Sequence, residues 1–91
     1  MSATAKFPLG SIVATPRAME NLSGEDVLAG ISRHQAGDWD DVCAEGKLLN
    51  DRAVLEGTRI LSADHVPEGT TFWIITEADR SVTTVVLPND Y

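Results

Sequence analysis

The last third of the chain alternates apolar and polar positions in three runs that are separated by turn-forming residues. The runs begin at Thr58, Thr70 and Ser81 and hold most of the β-branched and aromatic residues. Residues 67–69 (Pro-Glu-Gly) and 77–80 (Glu-Ala-Asp-Arg) suit tight hairpin connections. The pattern predicts an antiparallel meander over 58–87. Its second strand is predicted to be central because both of its faces carry apolar side chains.

The N-terminal part of the chain has a short β-type run followed by a helix start. The run is Leu9–Ala14, and Pro8 before it is typical of a strand start or an edge strand. Thr15 suits an N-cap and Pro16 the first helical position, which predicts a short helix over 16–22. The sequence leaves open whether 9–14 joins the meander.

Two longer helices are predicted between these regions. Ser23 is expected to cap the first, which runs to about Ala36 and ends at Gly37. Asp38 is expected to cap the second, over 39–56, with Gly57 at its end. The best inward face of this second helix would contain Val42, Glu45, Leu49 and Ala53, flanked by Leu48 and Leu55.

The resulting order is β-α-α-α-β-β-β. It predicts an α+β fold in which the helices pack on one face of an antiparallel sheet of three or four strands. Residues 7–91 are expected to form one domain, preceded by a flexible segment over 1–6.

Charge narrows the class of partner. Among 91 residues the formal net charge is −7 and the isoelectric point is about 4.5. Such a surface repels phosphate groups, so direct nucleic-acid binding is not expected. A basic protein surface is the predicted partner, and a homodimer is compatible with the same composition.

Cysteine content and hydropathy predict the compartment. Cys43 is the single cysteine, so no intrachain disulfide can form, and it is expected to be a small buried packing residue. The N-terminus lacks the apolar core of a signal peptide, and no apolar run reaches the length of a membrane span. The prediction is a cytoplasmic protein without membrane contact.

The residues that could carry metal or cofactor chemistry have simpler explanations. His34 and His65 lack zinc-site spacing and are each expected to be capping or surface residues. Asp38, Asp40 and Asp41 lack the calcium-loop pattern, and helix capping accounts for them. No metal or cofactor is predicted. Trp39 among them is expected to pack between helices, or, if exposed, to anchor a partner.

One enzymatic alternative follows from the order of elements. Several small bacterial ribonuclease toxins place Arg, His and Ser/Thr on an antiparallel sheet beneath N-terminal helices. Here the corresponding residues would be His34, Arg59, Arg80 and Thr83. Cationic groups would have to stabilise the phosphorane, and a base would have to lie near the 2′-hydroxyl. The net charge of −7 argues against this alternative.

Three stretches of the chain together resemble a known group of proteins. They read RHQAGDWDD, NDRAVLEGTRILSA and FWIITEADRSVTTVVLPNDY, with TEADRS…TT…LP over residues 76–88 as the most recognisable part. They resemble a family of short bacterial proteins found on plasmids and other mobile elements. The resemblance covers most of 7–91 and implies a mobile-element context, but no site residues.

That context and the acidity suggest a non-enzymatic interaction module. Mobile elements carry small acidic inhibitors that occupy the basic nucleic-acid surfaces of restriction or CRISPR complexes, where carboxylates mimic phosphates. The candidate partner-binding residues are Trp39 and the acids that cluster over 25–45: Glu25, Asp26, Asp38, Asp40, Asp41 and Glu45. A ribonuclease-like enzyme and a homo-oligomeric regulatory protein are the alternatives.

Overall fold

A computed structural model describes residues 5–39 and 41–90. Within these residues the helices are α1 (Pro16–Asn21), α2 (Gly24–Gln35) and α3 (Ala44–Glu56), and the strands are β1 (Ser11–Ala14), β2 (Ile60–His65), β3 (Thr71–Thr76) and β4 (Val82–Val86). A short 3₁₀ turn follows at Pro88–Asp90. The predicted α+β fold and order of elements are confirmed.

The strands form one sheet in the order β1-β4-β3-β2. The predicted meander is present, because β2 pairs with β3 and β3 with β4 in antiparallel register. The structure also shows that β1 joins the sheet, parallel to β4, with Ser11 opposite Val82 and Ala14 opposite Val85. The sheet is therefore mixed: the predicted meander is antiparallel, and β1, whose membership the sequence leaves open, adds one parallel pair.

The three helices cover one face of the sheet. Ala18 of α1, Ile31 of α2 and Ala53 of α3 are each at most 6% exposed. The first two pack in a cluster with Phe72 and Ile74, and Ala53 packs in a second cluster with Phe7, Trp39 and Ile60. Gly30 lets α2 approach closely, since a Cβ at this position would lie 3.0 Å from the Phe72 ring.

The predicted helix ends are confirmed for α1 and α2. Thr15 Oγ1 accepts a hydrogen bond from Ala18 N, and Ser23 Oγ accepts one from Asp26 N. Gly37 adopts a left-handed φ of 85° just after α2. Gly57 does the same after α3, with a φ of 75°.

The predicted start of α3 is wrong. Asp38 is not its N-cap: Cys43 is, and the helix begins at Ala44. Asp38 N donates to Arg33 O, and Asp41 N donates to Ala63 O on β2 at 2.9 Å. These bonds attach Asp38 to the last turn of α2 and Asp41 to the edge of the sheet. Cys43 is exposed, so its predicted burial is also wrong.

The N-terminal segment is described from residue 5 onward. Lys6 N donates a hydrogen bond to Gln35 O at 2.8 Å, so this part of the predicted flexible segment contacts the end of α2. Residues 1–4, Asp40 and Tyr91 lie outside the described residues.

Candidate functional site

The outward side of α3 carries the largest exposed apolar side chains of that helix. Leu48, Leu49 and Leu55 are 66%, 62% and 88% exposed. They line a shallow groove of about 400 Å³ together with Glu45, Asp51 and Arg52. We call these six residues the leucine surface. Exposed apolar side chains that adjoin one another in this way are typical of protein contact surfaces.

The predicted inward side of α3 is confirmed at Ala53 and wrong for the leucines. The helix buries Asn50 and Ala53, whereas Leu48, Leu49 and Leu55 were expected on or beside the inward face. Asn50 Nδ2 donates to Leu61 O at 2.6 Å, and Leu61 N donates to Asn50 Oδ1 at 3.3 Å. Leu61 lies on β2, an edge strand. The Asn50 amide thus bonds the N–H and the C=O of Leu61, which would otherwise lack hydrogen-bond partners beneath the helix.

Trp39 is a core residue and not an exposed anchor. It is 3% exposed, and its ring lies 6.2 Å from the Phe7 ring and 5.7 Å from the His34 ring. Its indole Nε1 donates to Asp51 Oδ1 at 2.9 Å. The prediction that it packs against the helices is confirmed. Its assignment as a partner-binding residue is corrected, because a partner cannot reach the side chain.

The structure does not bring the predicted acidic residues together on one face. Glu25 and Asp26 lie in the first turn of α2, and Asp38 follows its last turn. A helix of 12 residues is about 18 Å long, so the two groups lie at opposite ends. Asp41 and Glu45 flank the start of α3, Asp38 is exposed nearby in the chain, and Asp40 lies outside the described residues. Of the predicted acids, Glu45 belongs to the leucine surface, and Asp38 and Asp41 are exposed in the segment just before α3.

His34 is fully buried, so its assignment as a capping or surface residue is wrong. Its Nδ1 lies 2.7 Å from Ser62 Oγ, and its Nε2 lies 2.9 Å from Thr76 Oγ1. Thr76 Oγ1 in turn lies 2.8 Å from Thr83 Oγ1, which donates to Leu9 O at 2.7 Å. Sequence spacing offered one signal, since His34 lies three positions after Ile31 on the inward face of α2.

The hydrogen-bond chain determines the tautomer of His34. A hydroxyl has one hydrogen to donate, and Thr83 gives its hydrogen to a carbonyl. Thr83 must therefore accept from Thr76, and Thr76 must accept from Nε2–H of His34. Nδ1 then accepts from Ser62. Burial, and secondarily the positive charge of Arg80, lower the pKa of His34 to about 4, so the ring is neutral at neutral pH.

The residues of the ribonuclease alternative do not form an accessible site. His34 and Thr83 are 0% exposed, so a phosphodiester cannot reach either side chain. Arg59 pairs with Glu77 at 3.2 Å, as expected for a surface arginine. Arg80 donates to the carbonyls of Thr58, Glu77 and Ala53. Arg80 thus connects the β3–β4 turn to the end of α3. Its replacement would therefore lower the stability of the fold, and a loss of RNA cleavage in such a variant would not by itself indicate a catalytic role.

His65 is exposed, as predicted, and bonds to Asp41 with 2.7 Å between Nδ1 and Oδ2. The nearby Arg33 pairs with buried Asp64 at 2.6 Å. Over 5–39 and 41–90, no group of three His, Cys, Asp or Glu side chains is placed to hold a metal ion. No helix within those ranges is long and apolar enough to cross a bilayer.

Comparison with models of known families, with curated proteins and with solved structures gives no match to this chain. The resemblance to plasmid-borne proteins therefore stays a prediction. The geometry of the leucine surface and of the neighbouring acids is the basis for a functional proposal.

Proposed function

We propose that this protein is a small, acidic, non-enzymatic interaction module that makes its protein contacts through α3 and the acidic segment before it. The leucine surface is the observation that carries the proposal, because three leucines on one helix are 62–88% exposed. Exposing them forgoes the free energy of burial, roughly 1.5–3 kcal/mol for each side chain. A contact with another protein would recover it.

Charge supports a basic partner for the acidic segment. The chain has 14 Asp and Glu residues against 7 Lys and Arg. Asp38 and Asp41 are exposed just before α3. Carboxylates held at a surface in this way attract a positive surface over long range and speed association. We propose that the partner is the nucleic-acid-binding surface of a defence complex in the cytoplasm of a bacterium that carries the mobile element.

The test is inhibition of purified DNA-targeting effectors of the restriction and CRISPR classes. We expect the protein to reduce DNA binding by one such effector, measured by gel shift, and the inhibition to weaken as salt is raised. The variant Asp38→Asn/Asp41→Asn should raise the inhibitory concentration at least tenfold. The matched control is Glu25→Gln/Asp26→Asn, which removes the same charge at the far end of α2 and should leave inhibition unchanged.

Absence of inhibition across these effectors at micromolar protein would contradict the defence-complex assignment. Equal effects of the two double variants would contradict the assigned surface, because they would show a dependence on total charge alone.

A further inference from the structure

The leucine surface has an internal symmetry in its chemistry. Glu45, Leu48, Leu49 and Arg52 are spaced at i, i+3, i+4 and i+7, which places them on one stripe of α3. Read along the helix, the stripe is acid, leucine, leucine, base. A rotation by 180° about the midpoint between Leu48 and Leu49 exchanges the two leucines and exchanges the acid with the base.

We infer that the leucine surface is the interface of a two-fold symmetric homodimer, in which α3 packs antiparallel against α3 of a second copy. The inference rests on the proposed function, because it names the partner of that same surface. A two-fold interface must be self-complementary, since the same patch is used on both chains. Here Glu45 of each copy lies opposite Arg52 of the other, and the leucines interdigitate between the two charge pairs.

Charge selects the antiparallel arrangement over the parallel one. In a parallel pair Glu45 would face Glu45 and Arg52 would face Arg52, which is unfavourable for both pairs. In the antiparallel pair both contacts are attractive, and the opposed helix dipoles add a small favourable contribution.

Charge also favours a second copy over a basic partner at this position. The stripe presents one acid and one base at its two ends, and the groove adds Asp51. A uniformly basic partner surface would repel Arg52, which lies beside the leucines. A second copy of the chain places Glu45 opposite Arg52, and this contact is attractive. To pair with Glu45 of a second copy, Arg52 gives up its 3.4 Å ion pair with Glu56 on the same helix. Both of these side chains are more than half exposed. Such exposed pairs contribute little to stability.

The dimer covers the leucine surface and leaves the acidic segment of the proposed partner surface accessible. Asp38 and Asp41 precede α3 and are not part of the stripe. A single helix pair is a small interface, so we expect a dissociation constant on the order of 1–100 µM.

Sedimentation velocity between 5 and 500 µM protein tests the inference. The wild-type chain should shift from monomer to dimer over this range. Leu48→Asp should weaken the dimer at least tenfold. The control is Leu28→Asp, because Leu28 on α2 is also 66% exposed but lies outside the stripe, and this variant should dimerise like the wild type.

Charge reversal tests the register. Glu45→Arg and Arg52→Glu should each weaken the dimer at least tenfold, because each places like charges opposite one another. An equimolar mixture of these two single variants should dimerise again, since every cross-chain pair is then an Arg facing a Glu. The double variant Glu45→Arg/Arg52→Glu should also recover the dimer to within about threefold of wild type.

Circular dichroism should be unchanged in all these variants, and thermal unfolding at concentrations where the chain is monomeric should shift little, since the substituted side chains are exposed. A chain that stays monomeric at 500 µM, or a dimer that Leu48→Asp leaves intact, would overturn the inference. A monomeric chain that inhibits an effector, and loses this inhibition in Leu48→Asp, would overturn the homodimer while supporting the proposed interaction surface. A dimer with the predicted register that inhibits no effector would support the homodimer and contradict the proposed function.

Discussion

Helices α2 and α3 pack on the same side of the sheet and each buries one polar side chain, but α2 leaves one leucine in solvent whereas α3 leaves three. α2 buries Ile31 and His34 and leaves Leu28 exposed. α3 buries Asn50 and Ala53 and leaves its three leucines in solvent. The difference follows from what lies beneath each helix.

α2 lies against β3, a central strand whose backbone groups pair on both sides. The requirement there is for apolar side chains, plus one histidine matched to the hydroxyls of Ser62 and Thr76. α3 lies along β2, whose outer edge carries an N–H and a C=O at Leu61 that need partners. An asparagine provides both, and the leucines are turned away. The comparison shows that the backbone under a helix can decide its inward face against the hydrophobic pattern.

The largest effect is expected from removing the polar centre beneath α2. His34→Ala should lower the free energy of unfolding by about 4 kcal/mol, because it leaves a cavity and removes the partner of two buried hydroxyls. Urea denaturation measures this loss. The control is His65→Ala, an exposed histidine, which should change stability by less than about 1 kcal/mol. Similar losses in the two variants would contradict the claim that buried His34 stabilises the contact between α2 and the sheet.

The same histidine predicts the pH dependence of stability. Its pKa falls from 6.5 to about 4 on folding, so between these values the unfolded chain binds a proton that the folded chain does not. The stabilisation is therefore complete above pH 6.5 and is lost as pH falls toward 4, by roughly 3 kcal/mol in total. Urea denaturation at pH 7, 5.5 and 4.5 measures the slope. His34→Gln should reduce the slope of the free energy of unfolding against pH. An unchanged slope in that variant would show that other titratable groups cause the pH dependence.

A smaller effect is expected at the inward face of α3. Asn50→Ala should destabilise the fold by about 2 kcal/mol, because Leu61 loses both of its edge hydrogen bonds beneath the helix. Hydrogen exchange should locate the change at the Leu61 amide. Asn21→Ala provides the control: Asn21 is exposed and bonds within its own helix, so the expected change is below about 1 kcal/mol. A stable Asn50→Leu variant would contradict the edge explanation.

The smallest effect on folding is expected at the outward face of α3. Leu48→Asp should alter the free energy of unfolding of the monomer by no more than about 0.5 kcal/mol, since the side chain makes little contact within the chain. Thermal unfolding at low protein concentration measures this. A loss above 2 kcal/mol would show that the leucines support the fold, and the contrast between the two helices would fail.

Much of the local structure could be predicted because it depends on nearby residues. Thr15 and Ser23 as caps, Gly37 and Gly57 as helix ends, and the strand pattern after Gly57 follow from backbone chemistry within a few positions. The start of α3 could not be predicted in this way. Residues 38–41 have the composition of a helix start, but Asp38 N donates to Arg33 O, and Asp41 N donates to Ala63 O on a strand more than twenty positions away.

The candidate site was predicted less well than the fold. Glu45 lies in α3 as expected, but Asp41 precedes that helix, Trp39 is buried, and the acids at the start of α2 lie at the far end of that helix. The leucines of α3 were assigned to the core because hydrophobicity alone favours burial.

The sequence by itself determined the order of the elements, most of their ends and the acidic character of the surface, because these depend on local residues and on composition. The tertiary structure alone decided the parallel pairing of β1, the burial of His34 and the orientation of α3. The reason is that buried polar groups must find partners, and those partners are distant in sequence: Leu61 for Asn50, and Ser62 and Thr76 for His34.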